Sequence, residues 1–460
     1  MATKKDLVEA HAFSRRRLVT AFVSGAPGGR EVEPPRPMRA VVGGAALCVL
    51  LLAGAAIAGI FSPKTPDGWL TPGGLVSSKE RGSLYYVAAD GDGVEFRPID
   101  ATSAQLLLGP VDVQRASQEE IDKQVIGPDM GIAGAPSSLP PTSHLVEEGW
   151  TACTRDDRGI MTRIAPDPGA TEVVDGAKVV QDTAGQAYLI TYEKTAYNDD
   201  PHAVSYELPH NAADGILGAL DLTQANEGVK VDPAWLTLFK PADDPLDRSA
   251  FKLGGSGPIS YGSTLGGGSH NIGDLVTYDD TFYLLTKAGP AELTPFALAV
   301  YQAGYTGPTD RVPRRPAPLV VREDVYPGTW PSDTLVDLPG DACAKLVPRP
   351  GSSPTIRLVR DEVTDASPTD APAGHTAVRV EPGYGALMSS GDFDKSTGSI
   401  IYLIDAKGVR YRIKDAETLE HLGYSSVPIP SIPDSWLNLF GAGPELSATA
   451  AGEAPDEGGS

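Results

Sequence analysis

The 460-residue sequence predicts a single transmembrane helix followed by a β-rich α+β ectodomain. In that ectodomain a central core domain carries four repeat units in a pseudo-two-fold, tandem-duplicated arrangement. Three observations carry the prediction. One uncharged apolar run lies near the N-terminus. Four later segments share a Tyr-centred alternating pattern. A set of landmarks recurs in the same order about two hundred residues further on.

The head, residues 1–39, reads as a cytoplasmic segment with an amphipathic helix. In DLVEAHAFSRRRLVTAFVSG, Leu7, Ala10, Ser14, Leu18 and Phe22 recur near one face, with Asp6 as N-cap and Gly25 as stop. Arg15, Arg16 and Arg17 form its basic cluster. Beside a membrane, such a cluster contacts anionic headgroups or docks to a protein partner, and the sequence leaves both open. Up to Arg39 there are eight basic and four acidic residues, so the head is +4 and the rest of this −22 chain is −26. A body this acidic repels phosphate backbones, which excludes nucleic acid as a partner.

Residues 40–61 read AVVGGAALCVLLLAGAAIAGIF, without a charge. At about 1.5 Å per residue this spans a hydrocarbon core of roughly 30 Å. A buried core helix is usually amphipathic, and this run is apolar all round. It also exceeds the usual core of a cleaved signal peptide. Arg36 and Arg39 abut its N-terminal side, so the positive-inside rule places the head in the cytoplasm and the body outside.

The chain has 51 Gly and 41 Pro, scattered rather than periodic, which predicts many turns and short strands rather than a rod. Its four Tyr-centred segments contain Tyr86, Tyr188, Tyr283 and Tyr402, each an alternating run beside a polar turn, the mark of a β-hairpin. PAWLTLF carries Trp235 and PDSWLNLF carries Trp436. The order Tyr86, Cys153, Tyr188, Trp235 is matched by Tyr283, Cys343, Tyr402, Trp436 at offsets of 197, 190, 214 and 201 residues. Any one match is weak, but the shared order predicts a duplication.

The boundaries follow from these landmarks. Residues 62–115 form repeat unit 1, 116–175 the first part of the core, and 176–250 repeat unit 2. A Gly-rich linker or loop covers 251–270. Residues 271–310 form repeat unit 3, 311–385 the second part of the core, and 386–442 repeat unit 4. The small, acidic stretch 443–460 reads as a disordered tail.

Of three Cys, Cys48 lies in the apolar run, while Cys153 and Cys343 lie in the exported body. Two Cys in an oxidising compartment suggest one disulfide, with two separate buried thiols as the alternative. Each follows an Ala and would be equivalent under the duplication, so a bond between them would clamp the halves near the pseudo-two-fold axis.

No constellation commits the chain to catalysis. GxxxxGK[ST], HExxH and GxSxG are all missing. His202 and His210 lack a matched third ligand, and the carboxylate pairs Asp156–Asp157, Asp199–Asp200 and Asp243–Asp244 sit in turn-like contexts. No catalytic residue, metal ligand or cofactor is therefore assigned.

The order of motifs resembles a known family. AHAFSRRRLVTAF, PPRP, the apolar helix and SPKTPDGW are similar to the start of EccB, a membrane core component of the actinobacterial type VII (ESX) secretion system. The resemblance continues through PIDATSAQLLLG, GPDMGIAGAPSSLP and WTAC to WLNLFGAGPELS, which is nearly the whole chain. It implies a periplasmic ectodomain of one central domain and four repeats, stapled by a disulfide between the matching Cys153 and Cys343. It also implies self-association and assembly with EccC-, EccD- and EccE-like membrane subunits and a mycosin protease.

The leading expectation is a structural component of a secretion complex in the cell membrane, joining a cytoplasmic motor to an outer assembly. The alternatives are an ectodomain ATPase, an activity ascribed to the family, and a module that grips the cell wall.

Overall fold

In the computed structural model, the described residues are 4–24, 67–91, 93–156, 158–173, 175–195, 198–361 and 371–455. The apolar segment 40–61 expected to cross the membrane lies outside them. Among the described residues no helix is long and apolar enough to span a bilayer. The chain divides into two units, residues 1–65 and 66–460.

In the first unit, α1 runs Lys4–Ser24. The helix begins before Asp6, so Asp6 lies in its first turn and is not the N-cap. A carboxylate there still complements the helix dipole.

The second unit begins with β1 (Leu75–Ser78), β2 (Leu84–Asp90), β3 (Gly93–Pro98), helix α2 (Ala101–Leu108), β4 (Val113–Ala116), α3 (Gln118–Ile121) and β5 (Val125–Ile126). Strands β1, β2 and β3 are antiparallel neighbours, and β4 and β5 flank them in parallel, in the order β4-β1-β2-β3-β5. The chain then enters a central sheet with β6 (Trp150–Thr154), β7 (Ile160–Ile164) and β8 (Ala170–Glu172).

A second outer sheet repeats the first plan. Its members are β9 (Gly176–Gln181), β10 (Ala187–Thr195), β11 (Asn198–Glu207), α4 (Ala213–Ala219), β12 (Val229–Lys230), α5 (Pro233–Leu236) and β13 (Lys240–Pro241), ordered β12-β9-β10-β11-β13. The third sheet has only β14 (Leu275–Tyr278), β15 (Thr281–Leu285), β16 (Pro290–Glu292), α6 (Pro295–Ala303) and β17 (Thr309–Arg311), ordered β16-β15-β14-β17.

Strand β18 (Val336–Asp337) next pairs with β9. Then β19 (Ala342–Val347), β20 (Thr355–Asp361) and β21 (Thr376–Val380) complete the central sheet, β21-β7-β6-β19-β20-β8. The fourth outer sheet has β22 (Ala386–Gly391), β23 (Ile400–Ile404), β24 (Val409–Ile413), α7 (Ala416–His421), β25 (Ser431–Pro433), α8 (Asp434–Leu437) and β26 (Gly441–Ala442), again with five strands ordered β25-β22-β23-β24-β26. A last helix, α9, spans Ala448–Ala451.

Local chemistry explains the helix starts. Asp100, Thr294 and Asp415 each cap the helix that follows the third strand of a sheet, accepting from the backbone N–H of Ser103, Ala297 and Thr418. Each satisfies a donor that the first helical turn leaves without an intrahelical partner.

The structure seats two stretches that composition reads as loose. The Gly-rich region 254–270 is a packed loop, with Leu265 fully buried beside Val276, Tyr283 and Leu285. The stretch after Gly443, expected to be a loose tail, carries a helix and backbone hydrogen bonds among the described residues. Leu446 is buried and α9 packs on α2. A few apolar residues in each segment supply the anchorage that average composition conceals.

Candidate functional site

The centre of the second unit is built on β6 and β19. These strands are antiparallel with Cys153 directly opposite Cys343, and a disulfide joins them. The Cα atoms are 4.1 Å apart and each Cys is 2% exposed. Small Ala152 and Ala344 sit opposite each other at the next register position, leaving room for a closely apposed pair. The bond closes a span of 190 residues.

Three fully buried indoles surround this pair of strands. Trp150 on β6 packs edge-on against Phe440. Trp235 on α5 donates its Nε1–H to the Ala152 carbonyl at 3.1 Å, one residue from the disulfide. Trp436 on α8 donates to the Leu238 carbonyl at 3.1 Å. A buried indole N–H without a partner is costly, so these bonds fix where the short helices sit.

A second tie precedes Cys343. The Lys178 ammonium on β9 donates to the carbonyls of Leu338 and Gly340, each at 2.7 Å. The Thr223 backbone N–H donates to the Asp337 carboxylate at 3.0 Å. Burial pushes the Lys178 pKa down, while Asp337, Asp341 and Asp156 pull it up. The second sheet is thus bound to the strand that leads into the clamp. Lys178 gives no sign of this in sequence, where it is one residue in an apolar run.

Titratable groups within the second sheet serve packing. Glu193 is 8% exposed and accepts from the Tyr206 hydroxyl at 3.3 Å. Burial raises the Glu193 pKa and holds Tyr206 well above its ordinary value. His202 stands 4.0 Å from Glu193, beyond hydrogen-bond length. Burial, then Lys240, lowers the His202 pKa, so it is a neutral ring beside a carboxylate. Asp156 accepts from the Lys230 backbone and Asp243 lies 4.0 Å from Lys240, both in structural contacts. Among the described residues, no three His, Cys, Asp or Glu side chains converge to hold a metal ion.

Arg15, Arg16 and Arg17 are exposed on α1. Consecutive residues on a helix lie about 100° apart, so the three guanidiniums ring the helix instead of forming one patch. Only Arg15 shares the stripe of Leu7, His11, Leu18 and Phe22. Leu7, Leu18 and Phe22 are 68%, 67% and 90% exposed, so the stripe is open along the whole helix.

Comparison with known proteins places this architecture. A family model described as "Type VII secretion system ESX-1, transport TM domain B", the EccB family, matches residues 1–457. The "ESX-2 secretion system ATPase EccB2" of Mycobacterium tuberculosis is 26% identical, covering 98% of this chain and 94% of that protein. The "ESX-1 secretion system ATPase EccB1" of the same organism is 27% identical with the same coverage. The EccB1 of Mycolicibacterium smegmatis is 25% identical over 90% of this chain. A chain of an intact ESX-5 inner membrane complex superposes with TM-score 0.62 at 18% identity, covering 100% of this chain and 97% of that one. A chain of an EccB3 dimer from an ESX-3 core complex gives 0.61 at 20% identity, covering 83% and 100%.

Proposed function

The chain belongs to the EccB family of type VII secretion systems, and on that premise we propose that it is a structural membrane component of an ESX protein secretion complex. It links a cytoplasmic motor to an extracytoplasmic assembly. The observation that carries this reading is the extent of the family match: head, apolar segment and body are matched together, from residue 1 to 457.

The finer features follow from the same premise. Residues 40–61 form a single-pass anchor, with the head in the cytoplasm and the body in the periplasm, supported by Arg36 and Arg39 beside an uncharged run. The four outer sheets are repeat units of a tandem duplication around the central sheet. The connectivity common to the first, second and fourth sheets supports this. The Cys153–Cys343 bond clamps the two halves. The α1 helix, with Arg15, Arg16 and Arg17, docks on the cytoplasmic side, and its open apolar stripe supports a partner there. The partners are EccC-, EccD- and EccE-like subunits, a mycosin protease and further copies of the chain.

The mycobacterial relatives carry "ATPase" in their names. We place the scaffold reading ahead of an ectodomain ATPase because the sequence has no GxxxxGK[ST] loop and the proposed topology puts the body outside the ATP pool; the ATPase stands as the alternative.

Purification of the full-length protein in mild detergent tests the reading. EccC- and EccD-like subunits copurify with the intact chain, and loss of residues 1–39 reduces recovery of the motor. Intact protein emerging with neither subunit overturns the scaffold reading. Undiminished motor recovery without the head overturns only the docking role of α1. ATP hydrolysis that survives purification and vanishes with a point substitution in the body would establish the enzymatic alternative.

A further inference from the structure

The third outer sheet is finished differently from the other three. Among the described residues, no strand occupies the position beside β16 that β5, β13 and β26 fill in their sheets. Instead residues 312–321 leave β17 at one edge and arrive at β16 on the opposite edge. The Val312 N–H donates to the Thr277 carbonyl at 2.9 Å at the start, and the Val320 N–H donates to the Pro290 carbonyl at 3.0 Å at the end. Val312 is buried with Leu265, Val276 and Tyr283, so the segment straps across that face of the sheet. Pro313, Pro316 and Pro318 have no N–H to give, so the strap cannot become a ladder strand. The Tyr326 hydroxyl covers the Glu292 carbonyl of the same edge at 3.0 Å. The edge is closed without a fifth strand.

The outer side of the strap is distinctive. From Arg311 to Arg322 the sequence RVPRRPAPLVVR has four Arg and no acid, in a body that is otherwise strongly acidic. Arg314 and Arg315 are exposed and make no ion pair among the described residues. Beside them Leu319 is 39% and Val321 is 61% exposed. The prolines fix the backbone of the strap, so it loses little backbone entropy on binding.

We propose that this strap is a docking surface for an acidic, partly apolar polypeptide segment of another protein. Charge complementarity sets the sign of the partner: Arg314 and Arg315 stand side by side, exposed and without an ion pair among the described residues, in a body of strongly negative net charge. The neighbouring Leu319 and Val321 call for apolar side chains as well as carboxylates, which a polyanionic sugar chain does not supply. A two-fold pairing of two copies strap against strap would bring the Arg314 and Arg315 side chains of both copies together, which favours a different protein as the occupant. This assignment goes beyond the secretion-scaffold reading and does not depend on it.

The test is fluorescence anisotropy on the full-length protein in detergent, with a labelled peptide of alternating Glu and Leu as long as the strap. Binding is expected to weaken with added salt. It is expected to fall by at least about tenfold in Arg314→Glu/Arg315→Glu, through loss of two charge-assisted contacts. It falls more modestly in Leu319→Ser/Val321→Ser, with melting temperatures unchanged because all four side chains face solvent. The variants share the detergent with the parent, so partition into micelles cancels. Peptide binding equal in the charge-reversed and parent proteins overturns the proposal. Dextran sulfate displacing the peptide, with the Leu319/Val321 variant unaffected, makes this a glycan surface and also overturns it. A smaller sedimenting species for the charge-reversed protein without peptide makes the occupant a second copy, with the same consequence.

Discussion

The indole N–H of Trp436 ends on the carbonyl oxygen of Leu238, 3.1 Å away and 198 residues earlier in the chain. Leu238 lies in the stretch WLTLF, which resembles the WLNLF that carries Trp436 itself. Trp235, the matching indole, is bonded instead to Ala152 on the central strand β6. Two similar motifs therefore have unlike partners: one grips the centre and the other grips the first. A further contact runs the same way, from Lys240 to Asp394 at 3.0 Å.

Replacing Trp436 with Phe removes the donor, shrinks the ring and strands the Leu238 carbonyl in a dry site. Chemical denaturation is expected to show a loss of about 1–3 kcal/mol. Trp436→Ala adds a cavity and is expected to lose about 3–5 kcal/mol. A Phe variant with the parent's midpoint and slope means that the bond contributes nothing.

Thiol counting checks the clamp. Denatured but unreduced protein is expected to show one reactive thiol per chain, that of Cys48, and all three after reduction. Opening a 190-residue span, in Cys153→Ser/Cys343→Ser, is expected to remove up to roughly 5 kcal/mol of stability in the chain-entropy picture. Because each sulfur is buried, native protein is expected to resist a reductant that acts freely on the denatured chain. Three reactive thiols before reduction would falsify the clamp.

The raised Glu193 pKa predicts a pH dependence with a definite sign. The native state holds this proton above the ordinary value of 4.5, because burial disfavours the charged form. Between that value and the raised one, the folded chain binds more protons than the unfolded chain, so this group's contribution to stability declines as pH rises. Glu193→Gln keeps an acceptor for Tyr206 and never ionises. It is expected to be more stable than the parent at neutral pH, with the advantage shrinking as the pH falls toward 4.5. Thermal melts showing a constant difference across that range rule the explanation out.

Leu265 tests whether the Gly-rich stretch is part of the fold. It is fully buried against the third sheet. Leu265→Ala is expected to lose about 2–5 kcal/mol, the range for an aliphatic core residue. A true linker tolerates that change, and an unaltered melting temperature would return the stretch to that status.

Much of the architecture was legible in local chemistry. Strand alternation around Tyr86, Tyr188, Tyr283 and Tyr402 corresponds to β2, β10, β15 and β23. The Trp235 and Trp436 motifs each became a short helix with its Trp buried. Features outside local sequence were not readable. Arg15, Arg16 and Arg17 look like one patch in a row of letters, but the helical step turns them around an axis. Lys178 looks like a surface residue interrupting an apolar run, and its partners lie about 160 residues away. The basic strap RVPRRPAPLVVR carries no local signal of its place, and only the hydrogen bonds of Val312 and Val320 to opposite edges show that it crosses a sheet face.

By itself the sequence determined the strand periods, the uncharged run at 40–61, the charge contrast between head and body, and the order of its Tyr and Trp landmarks. These depend on residues within a few positions of one another, or on order alone. The tertiary structure decided the rest. It drew β6 and β7 beside β19 and β21, threaded β18 into the second sheet, joined Trp436 to Leu238, and seated the Gly-rich loop and the C-terminal stretch. Those pairings follow from which buried groups find partners once distant segments meet, and residue order does not specify that.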